Sequence, residues 1–458
     1  MEILKIVELN SPNDCNGFDI VLANPPYIEF KKQSKELKDS LKIYKTAKGK
    51  FDVFVTFIEQ SCNILKKNGI HCFINPTTFM KRDYGEATRK FINDNFEIKQ
   101  ILDFSDAQIF DTATTYTGIF IFQKQKQQKE TFSYQKFFSN QKVNDDKMFL
   151  PVNTSYKESF FVNINELKKD SWVFLSPAIE QLFNKIKSPE TKTMKQLCDC
   201  IFEGIASGKD DVFFIKKETI DENKLEEEII HPLLKGENVK QYYYEWSGYY
   251  IIYPYDNENN VIPENVMKQK YPKLYSYLVS RRKDLSGRDY FDKSNKLWYE
   301  LWNERKICKF FQRKIVNCEI SADNRFALDD NNFLGNTKIF NSVLKKEYNH
   351  LYKYVVALLN SKVLNYFEKQ ISTPKAGGAY EHKTQFIEQF PIMIGTIAQQ
   401  KKINDIVDEI LSVKTSDSSS DTASLESQID EIVFEIYGLT ETEKNIIKDD
   451  GAARQTYN

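Results

Sequence analysis

"FDIVLANPPYIEF" (residues 18–30) decides how this chain is read. The apolar run from Phe18 to Ala23 has the composition of a buried strand, and it stops at two consecutive prolines. Neither proline has a backbone N–H to donate, so neither can continue a strand ladder. Asn24-Pro25-Pro26-Tyr27 is therefore predicted to form a rigid loop at the carboxyl end of a strand.

The flanking segments place that loop in a fold. "FDVFVTFIEQSCNILKKNG" (51–69) spaces Phe54, Phe57, Ile58, Ile64 and Leu65 as a helix does, with a basic last turn and a terminating Gly69. "YGEATRKFINDN" (84–95) predicts a second helix. "IHCFINP" (70–76), "IKQILDFSD" (98–106) and "YTGIFIFQK" (116–124) predict further strands. Strands joined by helices imply a parallel, doubly wound α/β sheet. In such sheets ligands sit outside the carboxyl ends of the strands, where the Asn24–Tyr27 loop falls.

Residues 125–170 are polar and are predicted to cross to a second domain. From 171 to 395 the pattern changes to short aromatic strands, turns and helices. A solvated stretch, "KTSDSSSDTAS" (414–424), interrupts a helical C-terminus, and "LESQIDEIVFEIYGL" (425–439) returns to helical spacing.

Composition narrows the function classes. A net charge of -1 excludes a uniformly basic protein, yet 64 Lys and Arg leave room for a basic face that meets nucleic acid. Aromatics reach 14%, which suits stacking surfaces as well as cores. The seven cysteines contain no CxxC pair and the four histidines no HxH or HExxH spacing, so no metal site is expected. No signal peptide is read at the N-terminus and no apolar run approaches the ~20 residues needed to cross a bilayer. The expectation is a soluble, cytoplasmic protein.

An Asn-Pro-Pro-Tyr loop suits one chemical problem, making an exocyclic amine nucleophilic. The amine lone pair of a base is delocalised into the ring. The Asn24 side-chain oxygen and the Pro25 carbonyl can each accept one N–H from it, favouring a pyramidal nitrogen and stabilising the charge that develops there. Tyr27 is the candidate to stack on the base, with no need to ionise. A base in duplex DNA reaches such a pocket only when flipped out of the stack. Phe110, in "DAQIFDTATTYTGIFIF", is the candidate for a second stacking wall; Tyr116 competes for that place, and Phe110 reads equally as a core residue.

The motifs "FDIVLANPPYI", "GIHCFINPTTFMKRDYGEATRKFI", "ILDFSDAQIF" and "TTYTGIFIFQK" resemble the catalytic half of gamma-class, TaqI-like N6-adenine DNA methyltransferases. The resemblance implies S-adenosylmethionine as cofactor, Asn24, Pro25, Pro26 and Tyr27 as the catalytic loop, and Pro26 as a cofactor neighbour. It implies that Tyr27 and Phe110 stack on the base. "GIASGKDDVFFI" (204–215), "HPLLKGENVKQYYYEWSGYYIIYPY" (231–255), "YVVALLNSKVLNYFEKQ" (354–370), "GGAYEHKTQFIEQFPI" (377–392) and "LESQIDEIVFEIYGLTETE" (425–443) resemble the target-recognition domain of type IIG restriction–modification enzymes. Two basic clusters, "RRKDLSGR" (281–288) and "RKICKFFQRK" (305–314), offer Arg281, Arg282, Arg305, Lys309, Arg313 and Lys314 as DNA contacts; each taken singly also reads as a solvated surface residue.

The family's glycine-containing cofactor motif is not found, no glycine precedes Gly17, and Glu8 is the one candidate to approximate the family's acidic residue. At most "EILKIVELN" (2–10) supplies the strand before the catalytic one. The expected architecture is therefore an incomplete Rossmann-like methyltransferase sheet lacking its first strands (1–150), a TaqI-like α+β target-recognition domain (151–395) and C-terminal helices (396–458). An N-terminally truncated sheet would expose an edge and an apolar face, and an upstream polypeptide is the expected partner beside double-stranded DNA. Two other readings stand: a non-catalytic DNA-binding specificity module or remnant, and a methyltransferase acting on RNA or on a glutamine amide.

Overall fold

The computed structural model describes residues 17–104, 116–127, 129–137, 158–168, 171–286, 288, 291, 294–375 and 378–455. The chain divides into two compact units, Met1–Gln181 and Leu182–Asn458.

The first unit is built on one six-stranded sheet. Its strands are β1 (Phe18–Ala23), β2 (Leu65–Pro76), β3 (Glu97–Asp103), β4 (Thr117–Gln123), β5 (Thr131–Lys136) and β6 (Glu158–Asn163), in the order β1-β2-β4-β3-β5-β6. β1 runs parallel to β2 and β3 parallel to β5, while β4 lies antiparallel between β2 and β3, and β6 antiparallel to β5. The sheet is thus mixed α/β, not the all-parallel sheet predicted. Helices separate β1 from β2 and β2 from β3, allowing parallel crossovers, whereas β3 and β4 are sequential neighbours that pair antiparallel.

Helices α1 (Lys35–Leu41), α2 (Phe54–Ile64), α3 (Thr78–Lys81) and α4 (Glu86–Asn95) lie between the first three strands. α2 buries Phe54, Val55, Ile58 and Cys62 in a core shared with Ile98 and Ile101 of β3 and Phe120 and Phe122 of β4. The helix predicted over 51–69 ends at Ile64, and Leu65 already pairs with Phe18 of β1. Gly69 is therefore a strand residue: a Cβ there would lie 2.9 Å from the Phe18 carbonyl oxygen, so its absence lets β1 and β2 approach.

The polar segment 125–170 contributes β5 and β6 to the same sheet, a correction to its reading as a crossing linker. Trp172 and Phe174 are buried in this unit's core, and the division falls at 181/182 where a boundary at 150/151 was expected.

The second unit holds two four-stranded sheets. One is antiparallel throughout, ordered Phe326–Asp329, Lys314–Cys318, Ile339–Leu344, Cys198–Glu203. The other runs Leu334–Gly335, Ile230–Leu234, Tyr249–Ile252, Phe214–Lys216. Helices Tyr352–Asn360 and Lys362–Ile371 are separated by Ser361, whose side chain accepts the Leu364 N–H and caps the second. Helices Ile397–Ser416, Ala423–Ile436 and Glu441–Gln455 complete the unit, with Asp430 accepting the Lys362 N–H at 2.8 Å. No helix among the described residues is long and apolar enough to cross a membrane.

Candidate active site

β1 pairs with β2 as far as Ala23, opposite Phe73, and the chain then turns through Asn24–Tyr27 at the carboxyl end of both strands. Pro25 is buried, Pro26 and Tyr27 are half-buried, and Asn24 is exposed. Among the described residues, no donor reaches the Asn24 side chain or the Pro25 carbonyl. Both acceptors are thus open.

The loop is held from behind. The Tyr27 hydroxyl donates to the Ile74 carbonyl of β2 at 2.9 Å, and its ring meets Phe54 edge-on at 6.5 Å. Phe54 packs edge-on against Phe79 at 6.0 Å. Burial pushes the Tyr27 pKa up to about 12, so the phenol stays neutral. Downstream, the buried Gln33 amide donates to the Ile28 carbonyl at 3.2 Å and the Phe51 carbonyl at 2.9 Å. The Val53 N–H donates to the Ile28 carbonyl at 3.0 Å. Three hydrogen bonds therefore tie the exit of the loop to the start of α2.

Several groups near the strand ends gave no signal in the sequence. The Tyr84 hydroxyl donates to Asp52 at 2.9 Å and lies 2.7 Å from the Thr78 hydroxyl, linking α3 to the turn before α2. Burial raises the Asp52 carboxyl above its ordinary range. Lys81, Asp103 and Lys136 gather where α3, β3 and β5 end. Burial, with the Lys136 charge, brings the Lys81 pKa down to about 8 against the opposing pull of Asp103. Asp103 accepts the Tyr134 hydroxyl at 2.6 Å. Asn75 of β2 is completely buried, and neither its amide nitrogen nor its oxygen has a partner among the described residues. Tyr84–Asp52 and Tyr134–Asp103 join residues 32 and 31 positions apart, and the burial of Lys81 and Asn75 is set by the whole unit, which local periodicity cannot reveal.

Phe110 and the segment "EILKIVELN" lie outside the described residues. Tyr116, the competing stacking residue, uses its carbonyl to accept the Thr77 N–H at 3.0 Å.

The basic residues of the second unit separate into types. Arg282 is exposed and lies over the Trp298 ring at 4.8 Å; Lys309 lies 5.6 Å from the Phe202 ring centre. Arg281 pairs with Asp284 at 2.7 Å, Arg305 with Glu203 at 3.2 Å and Arg313 with Asp330 at 2.9 Å. Lys314 is a correction: its ammonium is fully buried, paired with Asp329 and bonded to the Phe310 carbonyl at 2.8 Å. A charge enclosed in that way is a structural ion pair and has no path to a phosphate.

Residues 3–110 match the Eco57I restriction-modification methylase family, and residues 231–392 match the TaqI-like C-terminal specificity domain. The chain is 24% identical over 444 residues to the type II methyltransferase M.BstVI of Geobacillus stearothermophilus, covering 94% of this chain and 75% of that protein. It is 25% identical over 431 residues to the type II restriction enzyme and methyltransferase RM.Eco57I of Escherichia coli, covering 85% of this chain and 42% of that protein. The solved type IIL restriction-modification enzyme MmeI, in complex with DNA, shares the fold with a TM-score of 0.60 at 13% identity, over 96% of this chain and 57% of that one. An Asn-Pro-Pro-Tyr loop at a strand end, in a chain that matches both a methylase family and a specificity domain, is consistent with a restriction–modification DNA methyltransferase. These likenesses support the reading of the chain as a gamma-class, TaqI-like restriction–modification methyltransferase.

Proposed function

We propose that this chain carries the base-accepting half of a site-specific adenine-N6 DNA methyltransferase that uses S-adenosylmethionine. One observation supports this most strongly: the Asn24 side chain and the Pro25 carbonyl are open acceptors among the described residues, on a loop tied down at Tyr27 and Ile28.

The chain's residues act on the amine. The Asn24 oxygen and the Pro25 carbonyl each accept one N–H of the flipped base, drawing the nitrogen out of conjugation and stabilising its growing positive charge. Their positions are set before the base arrives, so no reorganisation is needed at the moment of reaction. Tyr27 lies beside the base as a neutral ring, its hydroxyl occupied by Ile74. Arg282 and Lys309 serve phosphate contacts, with the ion-paired Arg281, Arg305 and Arg313 as further DNA-facing candidates.

S-adenosylmethionine supplies an electrophilic methyl group when bound. The described residues fit only one side of it. Pro26 can border the cofactor, but β1 is the edge strand among the described residues, so no strand end beside it offers a carboxylate or a glycine turn. Among the described residues the acceptor side is furnished and the donor side is not, and we assign no step to the donor.

The test is a comparison of base modification in the source organism with and without this gene, by sequencing that reports methylated bases. The expected result is N6-methyladenine at one recurring DNA sequence, lost on deletion. A DNA methylation map unchanged by deletion, with loss of a methyl mark on RNA or on a protein glutamine, would overturn the proposal.

A further inference from the structure

β2 ends beside the candidate active site on a side chain that no described residue engages. Asn75 is completely buried, and among the described residues it is the one side-chain amide whose nitrogen and oxygen both lack a partner. An amide has two N–H groups and an oxygen to satisfy, so burying it in that state costs stability. Native proteins carry few such groups, and each calls for a reason. The strand pairing shows why no side chain reaches it. Asn75 lies opposite Gly118 of β4, which has no side chain to offer, and the preceding pair on that face is Phe73 with Phe120.

Its position is that of the acceptor loop. β1 and β2 run parallel with Ala23 opposite Phe73, and two residues further along each strand stand Pro25 and Asn75. The peptide group that joins Ile74 to Asn75 accepts the Tyr27 hydroxyl at 2.9 Å. Alternation puts Asn75 on the same face as His71, which stacks on Phe122 of the core. Tyr27 turns its ring to Phe54 of α2, in that same core. A base stacked on Tyr27 therefore comes to the end of β2 where the amide stands. Asn75 breaks no hydrogen bond to a described residue in turning toward it.

We propose that Asn75 is a specificity-determining residue of the base pocket. Its Nδ2–H donates to the ring nitrogen beside the amine of the flipped base, and its oxygen faces the adjoining C–H. The inference rests on the methyltransferase reading of the site and deepens it. Asn24 and Pro25, by accepting both amine hydrogens, select an amino base over a keto base but do not tell adenine from cytosine. Asn75 supplies that distinction. In adenine the ring nitrogen on either edge beside the amine, N1 or N7, is followed by a C–H. In cytosine the ring nitrogen beside the amine is followed by a carbonyl, whose oxygen opposes that of the amide. A site whose buried polar group is left unpaired by the wrong base rejects it more strongly than apolar contact does.

The test replaces Asn75 by leucine, similar in volume and without polar atoms, at the chromosomal locus, and purifies the enzyme natively with whatever accompanies it. Asn75→Leu is expected to raise the unfolding temperature by about 2 °C or more, because an unsatisfied amide is removed. N6-methyladenine at the recognised sequence is expected to fall at least ~10-fold. Duplexes carrying 1-deazaadenine or 7-deazaadenine at the target position give the readout that a structural role does not move. Wild type is expected to lose at least ~10-fold in kcat/KM on one of the two, and the variant to treat that analogue and adenine alike. The assignment is overturned by wild-type methylation in the variant, by a lowered unfolding temperature, or by the same response to both analogues in both proteins. The last result, with the others, is that of an amide serving an ordinary buried water. A wild-type strain with no N6-methyladenine attributable to this gene overturns the methyltransferase reading itself, and the wild-type map alone tells that failure from the others.

Discussion

Lys314 shows how burial reassigns a residue. Its position in "RKICKFFQRK" reads as a phosphate contact, but it opens the strand Lys314–Cys318, which is buried along its whole length and pairs Lys314 with Asp329. Removing one member of a buried ion pair strands the other, at a cost of about 3–5 kcal/mol. Lys314→Met should therefore lower the unfolding free energy by that order in denaturant titration, with the salt dependence of DNA binding unchanged; a flatter salt dependence at wild-type stability would restore the DNA-contact assignment. Two buried histidines respond to pH with opposite signs. His71, stacked on Phe122 and 2.7 Å from the Ser61 hydroxyl, is held neutral by burial, its pKa brought down to about 3. Its contribution is full above the ordinary histidine value of ~6.5 and is lost as pH falls from there toward about 3. Burial also opposes charge on His382, but the Glu368 carboxylate at 2.8 Å outweighs it and raises the pKa. The Ser321 hydroxyl donates to the Asp323 carbonyl, so an imidazolium can donate to Ser321 and Glu368 together. That contribution is full below ~6.5 and fades as pH rises through the raised value. Stability-versus-pH curves should lose part of their acid limb in His71→Phe and part of their alkaline decline in His382→Gln. Parallel curves for all three proteins would contradict both assignments.

At the scale of elements, the Asn24–Tyr27 loop is as firm as its supports. Gln33 answers the Phe51 carbonyl and shares the Ile28 carbonyl with the Val53 N–H, so Gln33→Ala should cost about 1–3 kcal/mol. It should also speed hydrogen exchange across residues 25–33, and unchanged exchange there would show that Val53 and Tyr27 hold the loop unaided. The main strands and helices of the first unit were legible in the sequence because periodicity is local. β2, α4, β3 and β4 begin and end close to their predicted limits, apart from the five residues that β2 takes from the predicted helix. The antiparallel insertion of β4 was not legible, because pairing partners are set by long-range packing. The same applies to β5 and β6: "TFSYQK" and "ESFFVN" are short and polar, and their strand character comes from Phe132, Tyr134 and Val162 reaching the core. The acceptor loop itself was legible because two prolines fix backbone geometry wherever they occur.

Across the whole molecule, the methylase match and the specificity-domain match fall in two separately packed units, and most of the second unit's candidate DNA contacts already hold carboxylates. Arg281, Arg305 and Arg313 are paired, whereas Arg282 and Lys309 lie against aromatic rings. Removing a side chain that neutralises one phosphate should lower the slope of log affinity against log salt by roughly 0.9. Arg282→Ala and Lys309→Ala are expected to do so with little change in sequence preference; a shifted preference at constant slope would mark them as base readers. The central claim remains the acceptor pair. Asn24 is exposed and unbonded among the described residues, so Asn24→Ala should leave the unfolding temperature unchanged. Introduced at the chromosomal locus, with every partner present, it should cut N6-methyladenine at the recognised sequence by roughly 100-fold or more, the loss typical of one preorganised polar contact to a developing charge. Wild-type adenine methylation in that strain would contradict the account.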